Sequence, residues 1–279
     1  MIRASLLCAI TTLLLGTGAH AQGVLVAPHA VIMDHRTRSG SLTLYNPGDD
    51  PAEITFSSFF GYPVSDSIGG FELRTIEQPS DSYPSAAGWI DAFPKRMLLG
   101  PKQRQTVRLL ARPPAGLPDG EYWARLVVTA KGGSVPVEGA ADSSGVRVAL
   151  ALEIRTIVPL QYRKGRVETG VRTSSLAATI EHDSLAVRMR LDRTGNAAFL
   201  GTVRGALVDS AGHVVASVSS PLAVYYDMEP RLTAPLPAAG LTAGRYRLKV
   251  DVAAQRADLP PELVLATPPA RDSLEVHLP

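Results

Sequence analysis

Two stretches of this chain align with each other without a gap. Ala115-Gly116-Leu117-Pro118-Asp119-Gly120-Glu121-Tyr122 is followed by apolar residues at every second position, Ala124, Leu126, Val128 and Ala130. Ala239-Gly240-Leu241-Thr242-Ala243-Gly244-Arg245-Tyr246 is followed in the same way by Leu248, Val250, Val252 and Ala254. In each copy a glycine turn feeds a tyrosine at the head of a strand whose alternate residues share one face. A tyrosine so placed at the corner of a β-sandwich reaches back to hydrogen-bond the preceding connection. A repeat of corner plus strand calls for two small sandwiches rather than one large β-domain.

The rest of the chain agrees with an all-β reading. Leu42 and Leu44 alternate with Thr43 and Tyr45, Asn46-Pro47-Gly48-Asp49-Asp50-Pro51 turns the chain, and Ile54 and Phe56 alternate beyond it. Val107, Leu109 and Ala111 form a further alternating segment before Arg112-Pro113-Pro114. Many short strands with turn signals at this spacing predict two tandem immunoglobulin-like β-sandwich domains. Residues 22–162 form the expected first domain and residues 163–279 the second. The boundary is set where Arg163-Lys164-Gly165-Arg166 interrupts a long apolar alternation. The first domain is longer through a Ser/Gly/Pro-rich stretch from Gly61 to Gly88, expected to be a loop with one small hairpin around Phe71 and Leu73. At the other end, Pro260-Pro261 through Pro268-Pro269 reads as a connection into a last strand carrying Leu274, Val276 and Leu278.

The first residues predict export. A basic start at Arg3, an apolar run from Leu6 to Leu15 and Ala19-His20-Ala21 ahead of Gln22 make residues 1–21 a cleavable signal peptide; the run is too short to span a bilayer. The one cysteine, Cys8, lies inside that leader, so the mature chain is expected to contain no disulfide, thiolate metal site or cysteine nucleophile. A formal charge of +2 without a basic cluster argues against a nucleic-acid partner.

Catalytic chemistry finds no footing. His29, His35, His182, His213 and His277 stand in no HExxH, HxH or Cys/His pattern, and there is no GxSxG elbow or Gly-rich phosphate loop. Asp49-Asp50 and Asp119-Glu121 lie in turns, without EF-hand spacing. The expectation is a non-enzyme with no metal and no cofactor, acting through protein binding.

The segment best suited to binding is Val146-Arg147-Val148-Ala149-Leu150-Ala151-Leu152-Glu153-Ile154. Its alternation puts Val146, Val148, Leu150, Leu152 and Ile154 on one face of a strand. On periodicity alone, the simplest place for that face is the core of its own sandwich. The other place is an open edge lent to a partner's unfinished sheet.

From about Val24 to Arg163 the chain resembles the N-terminal domain of periplasmic pilus-assembly chaperones of the chaperone–usher family. The residues that carry the resemblance are Val26-Ala27-Pro28 leading into Val31-Ile32, Ser41-Leu42-Thr43-Leu44-Tyr45-Asn46, Phe93-Pro94 with Leu98, and Gln105-Thr106-Val107-Arg108-Leu109. They continue with Leu117-Pro118-Asp119-Gly120-Glu121-Tyr122 and Ile157-Val158-Pro159-Leu160-Gln161-Tyr162-Arg163. The second domain carries no such signature.

The resemblance implies donor-strand complementation, in which the chaperone's last first-domain strand fills the apolar groove of a pilus subunit that lacks its final strand. It assigns that role to Leu150, Leu152 and Ile154, extended by Val146 and Val148. It implies fimbrial or other secreted subunits as partners, an outer-membrane usher as a further one, and a periplasmic location. A stripe left open in the free protein also invites capping by a second copy. The family's basic pair, which anchors the subunit's terminal carboxylate, aligns with His29 and Pro159; Arg155 and Arg163 stand nearby, and Arg163, expected beside the interdomain cleft, is the preferred anchor of the two. The competing expectation is an exported structural or adhesive protein of two immunoglobulin-like modules, without chaperone activity.

Overall fold

The computed structural model describes residues 23–136, 149–181, 183–238 and 240–278. The expected leader, Val146, Val148 and His182 therefore lie outside the described residues.

The first half of the chain contributes ten strands: β1 (Leu25–Ala27), β2 (Val31–Asp34), β3 (Ser39–Tyr45), β4 (Ala52–Ser65), β5 (Phe71–Ile76), β6 (Ile90–Phe93), β7 (Arg96–Leu99), β8 (Arg104–Ala111), β9 (Gly120–Pro136) and β10 (Ala149–Lys164). They form two facing sheets, ordered β1-β3-β8-β6 and β2-β10-β9-β4-β5, with β7 also paired to β4. Alternate residues of the longer strands meet between the sheets: Leu42 and Leu44, Ile54, Val107 and Leu109, Leu126 and Val128, Leu160 and Tyr162 are all buried in one core.

The second half adds β11 (Thr169–Glu181), β12 (Ser184–Gly195), β13 (Phe199–Val208), β14 (Val214–Val224), β15 (Asp227–Met228), β16 (Arg231–Pro235), β17 (Gly244–Ala253) and β18 (Ala270–Leu278). Its sheets are β11-β12-β15, with β16 also on β12, and β14-β13-β17-β18. Val187, Leu191, Phe199, Val203, Leu207, Leu248 and Val250 fill a second, separate core. The architecture is two tandem β-sandwiches of immunoglobulin-like type. Among the described residues the helical content is two three-residue 3-10 turns, Ala87–Trp89 and Pro261–Leu263.

The repeated corner is the same local structure in both halves. Tyr122 donates its hydroxyl to the Pro118 carbonyl at 2.9 Å, and Tyr246 donates to the Thr242 carbonyl at 2.8 Å. Gly116 and Gly240 both sit at φ +72°, a left-handed conformation that glycine adopts without steric cost. The chain turns tightly there, and the tyrosine four residues beyond the acceptor closes the turn.

The Gly61–Gly88 stretch contains the expected hairpin around Phe71 and Leu73. The first part continues β4 to Ser65, and β5 folds back on it with Phe60 opposite Ile76 and Ser65 opposite Phe71. This hairpin reaches the second sandwich. Arg231 N donates to Gly69 O at 2.9 Å, and Glu229 N donates to the Ser65 hydroxyl at 3.0 Å. Phe60, Tyr62 and Val64 join Trp123, Ala198 and Tyr225 in an apolar cluster at the junction of the sandwiches. The segment is a strut between the domains, because its alternate aromatic residues cover the outer face of β9.

Candidate functional site: the open edge of β10

β9 and β10 form a long antiparallel pair running from Lys164 opposite Gly120 to Ala149 opposite Pro136, with one irregularity between Ala151 and Glu153. On its other side β10 is paired, in parallel, only where Leu160–Arg163 meets Val31–Asp34 of β2. From Ala149 to Pro159 no strand among the described residues covers that edge. The cause is the entering chain: β1 belongs to the opposite sheet beside β3, and only after Pro28-His29-Ala30 does the chain cross over to run along β10.

The two faces of β10 have different fates. Val158, Leu160 and Tyr162 point into the first core, which fixes the even-numbered positions on the inner face. Leu152 and Ile154 continue that stripe past the core cluster and are half-buried. Ile154 closes against the start of the described chain, since a Cβ added to Gly23 would lie 3.1 Å from Ile154 Cδ1. The opposite face carries Arg155, Ile157, Pro159, Gln161 and Arg163 toward the second sandwich. Ile157, Pro159 and Gln161, with Leu73, Leu200 and Leu263, line an interdomain cavity of about 220 Å³. Leu152 and Ile154 therefore face away from the cleft, and β10 contributes Ile157, Pro159 and Gln161 to its lining.

The cations named from the sequence fall in different settings. His29 is exposed on the crossover between β1 and β2. Arg155 is exposed and paired with Glu153 at 2.7 Å. The Arg163 side chain is only 11% exposed, and its guanidinium is committed within the chain. Nε donates to Glu121 Oε2 at 2.7 Å, Nη1 to the Glu262 carbonyl at 2.8 Å, and Nη2 to the Leu263 carbonyl at 2.6 Å. Arg163 does hold a carboxylate beside the cleft, but that carboxylate is its own chain's.

Glu121 was legible only as a turn carboxylate. In the structure its side chain is fully buried and accepts from three donors. Beyond Arg163, Trp123 Nε1 donates at 2.8 Å and the Ala198 amide of the second sandwich at 3.0 Å. A buried carboxylate is tolerated when it is paired and hydrogen-bonded in this way. Glu121 and Arg163 stand directly opposite each other in the β9–β10 register, so pairing the two strands from the sequence would have found them.

An aromatic group completes the junction. Trp123 packs edge-on against Tyr225 at 4.6 Å and Tyr226 at 5.6 Å between ring centroids. Arg193 lies over Trp123 and Tyr226, each at 5.8 Å. Burial pulls Arg193 below the ordinary guanidinium value. Burial, reinforced by Tyr62, pushes the Tyr226 phenol up to about 12. The Tyr226 hydroxyl is buried without a hydrogen-bond partner. Among the described residues no three His, Cys, Asp or Glu side chains gather as a metal site, and no helix is long and apolar enough to cross a membrane.

Fold and site together define a class: a two-sandwich β-protein whose first domain presents a long strand with one uncovered edge. No protein-family model matches the chain, and no curated protein matches it. Solved structures similar to it include the YadV chaperone, at 14% identity over 91% of this chain and 99% of that one, with a TM-score of 0.46. A second is the CsuC–CsuE chaperone–tip adhesion subunit pre-assembly complex of Acinetobacter baumannii, at 12% identity over 91% and 97%, TM-score 0.45. A third is the Salmonella enterica SafA pilin in complex with the SafB chaperone, at 16% identity over 90% and 96%, TM-score 0.42. At such identities the function has to be argued from this chain's own residues.

Proposed function

We propose that this chain is a periplasmic chaperone-like protein that holds fimbrial or other secreted subunits by lending them the edge of β10. The observation that carries this reading is the uncovered edge from Ala149 to Pro159 on a strand whose apolar residues alternate. An exposed, regular edge is a template for pairing with another chain and is normally blunted. Here the blunting is light: an irregularity between Ala151 and Glu153, the charged Glu153 and Arg155, and Pro159, which has no N–H to donate and sits next to the point where β2 takes over.

In this reading main-chain hydrogen bonds supply the pairing, and a groove that takes every second side chain supplies register. Leu150, Leu152 and Ile154 are the proposed contacts, extended by Val146 and Val148. Each Leu or Ile that passes from exposed to fully buried contributes about 1.5–3 kcal/mol. No catalytic group is required, and the protein acts as a binder rather than an enzyme. For the subunit's terminal carboxylate, the reading retains Arg155 over Arg163. Arg155 lies on the cleft side of β10, and its surface pair with Glu153 is weak enough to exchange, at about 0–1 kcal/mol.

The test is co-expression in the periplasm with an immunoglobulin-like fimbrial subunit that lacks its last strand. The wild-type chain should co-purify with the subunit, and Leu152→Glu should lose most of it while keeping the wild-type melting profile. Equal capture by a folded Leu152→Glu variant refutes strand donation and leaves the structural or adhesive alternative.

A further inference from the structure

The repeated block makes β9 and β17 equivalent strands, and their outer faces have opposite treatment. In β9 the positions after the corner tyrosine, Trp123, Arg125 and Val127, are buried under the strut and the second sandwich. The equivalent positions of β17, Arg247, Lys249 and Asp251, face outward with no element among the described residues over them, Arg247 and Lys249 being exposed. We infer that this outer face, formed by β14-β13-β17-β18, is a docking surface for an extended acidic segment of another protein. The inference does not rest on the strand-donation reading, because it concerns only the second sandwich.

Three features support it. First, the face carries a cationic rail. Arg245, Arg247 and Lys249 are exposed at alternate positions of β17, and Arg204 on β13 and Arg271 on β18 flank Asp251 on either side. Asp251 and Glu275 offset part of this charge, through Arg271 at 2.9 Å and Arg247 at 2.8 Å, and Asp272 adds a further carboxylate to the same hollow. Lys249 has neither an ion pair nor a hydrogen-bond partner among the described residues, and its cross-strand neighbours are Ala206 and Ser273. The rail is therefore only partly neutralised by its own sheet, in a chain whose formal charge is just +2.

Second, the face is hollow. Ala206, Ser217, Ser219 and Ser273, with Val214 and Val218, form a low floor between the longer cationic side chains, an open hollow of about 900 Å³. The serine hydroxyls offer further donors to carboxylate oxygens.

Third, the spacing fits. Alternate residues of a strand lie roughly 7 Å apart, so acidic residues at every second position of an extended peptide repeat with the period of the rail. Among the described residues no aromatic side chain lines the hollow, whereas single-stranded nucleic acid is held by base stacking on such groups. The chemistry selects a carboxylate-bearing strand. Each contact is individually weak in solvent, so affinity comes from several acting together and falls with salt.

The experiment uses the full chain and a fluorescent peptide of alternating Glu and Ser, read by anisotropy at low ionic strength. A Lys-Ser peptide, an oligothymidylate and phosphatidylglycerol vesicles serve as competitors for the same surface. The expected result is binding of the Glu-Ser peptide alone, weakened about tenfold or more by Arg245→Glu with Lys249→Glu and by raised salt. Leu152→Glu should bind the peptide as wild type does, which separates this surface from the β10 edge. Lys249→Ser and Arg204→Ser give the same reading at lower charge change, should the double reversal fail to fold. Absence of peptide binding, binding indifferent to these substitutions, or tighter binding of the oligothymidylate or vesicles overturns the inference.

Discussion

Replacing Glu121 tests how the two sandwiches are joined. Its carboxylate is fully buried and serves Arg163, Trp123 Nε1 and the Ala198 amide, so one side chain ties β9 and β10 to the second domain. Glu121→Gln keeps an amide oxygen for Trp123 and Ala198 but removes the counter-charge of Arg163. Removing one member of a buried pair costs about 3–5 kcal/mol, because the remaining charge is left desolvated. Arg163 still reaches the Glu262 and Leu263 carbonyls, which places the glutamine variant near the low end. Glu121→Ala further orphans the indole and amide donors, at about 1–3 kcal/mol each when unpaired. The sum is an upper bound, since a cavity at this site admits water to the same donors. Against a typical total of about 5–15 kcal/mol, either change is large. Urea unfolding followed by tryptophan fluorescence reads it directly, since Trp123 is one of only two tryptophans and packs against the carboxylate. The ordering expected is wild type, then Gln, then Ala, with an early loss of the Trp123 signal in the alanine variant. If both variants unfold within about 0.5 kcal/mol of wild type, the junction is not held this way.

Three further outcomes follow from particular residues. Tyr226→Phe removes a buried hydroxyl that has no partner, and should raise stability by about 1 kcal/mol in thermal melts. Because burial holds the folded Tyr226 phenol up to about 12, above its unfolded value, the folded state is unaffected by it below about pH 10 and loses stability as the pH rises toward 12. An ultraviolet tyrosinate titration should show a late component, to which burial also adds Tyr122 and Tyr162, that shrinks by one phenol in the phenylalanine variant. At the two corners, Tyr122→Phe and Tyr246→Phe should each cost about 0.5–1.5 kcal/mol, and equal costs in the two domains would match the shared geometry. Along β10, Leu160→Ala should cost about 2–5 kcal/mol while Leu152→Ala costs about 1 or less, because the first lies in the core and the second beyond it.

Much of the fold was legible because the information was local. A glycine turn, a tyrosine and a period of two recur in both halves, and each is a short-range signal of backbone shape and burial. The junction was less legible for a physical reason. Periodicity identifies one buried face, and Ala124, Leu126 and Val128 were read correctly as inner. Trp123, Arg125 and Val127 lie on the other face of the same strand and are buried by a different domain. The hairpin around Phe71 and Leu73 was legible within the Gly61–Gly88 stretch, but its partners were not: Gly69 O and the Ser65 hydroxyl accept from the Arg231 and Glu229 amides of the far domain. The stripe of β10 left two placements open, its own core or a lent edge, because periodicity marks a face without saying what covers it. Leu160 and Tyr162 pin the even positions inward, so Leu152 and Ile154 continue the core face rather than line the cleft.

Amide hydrogen exchange along β10, resolved by residue, tests the account most directly. In the free chain, the amides between Ala149 and Val158 that are not directed at β9 should exchange rapidly, while those of the Leu160–Arg163 stretch that bond to β2 should be protected. Adding the strand-deficient subunit should slow the first set and leave the second unchanged. If the edge is already protected in the free chain, or stays fast while the subunit is bound, β10 is not the strand being lent.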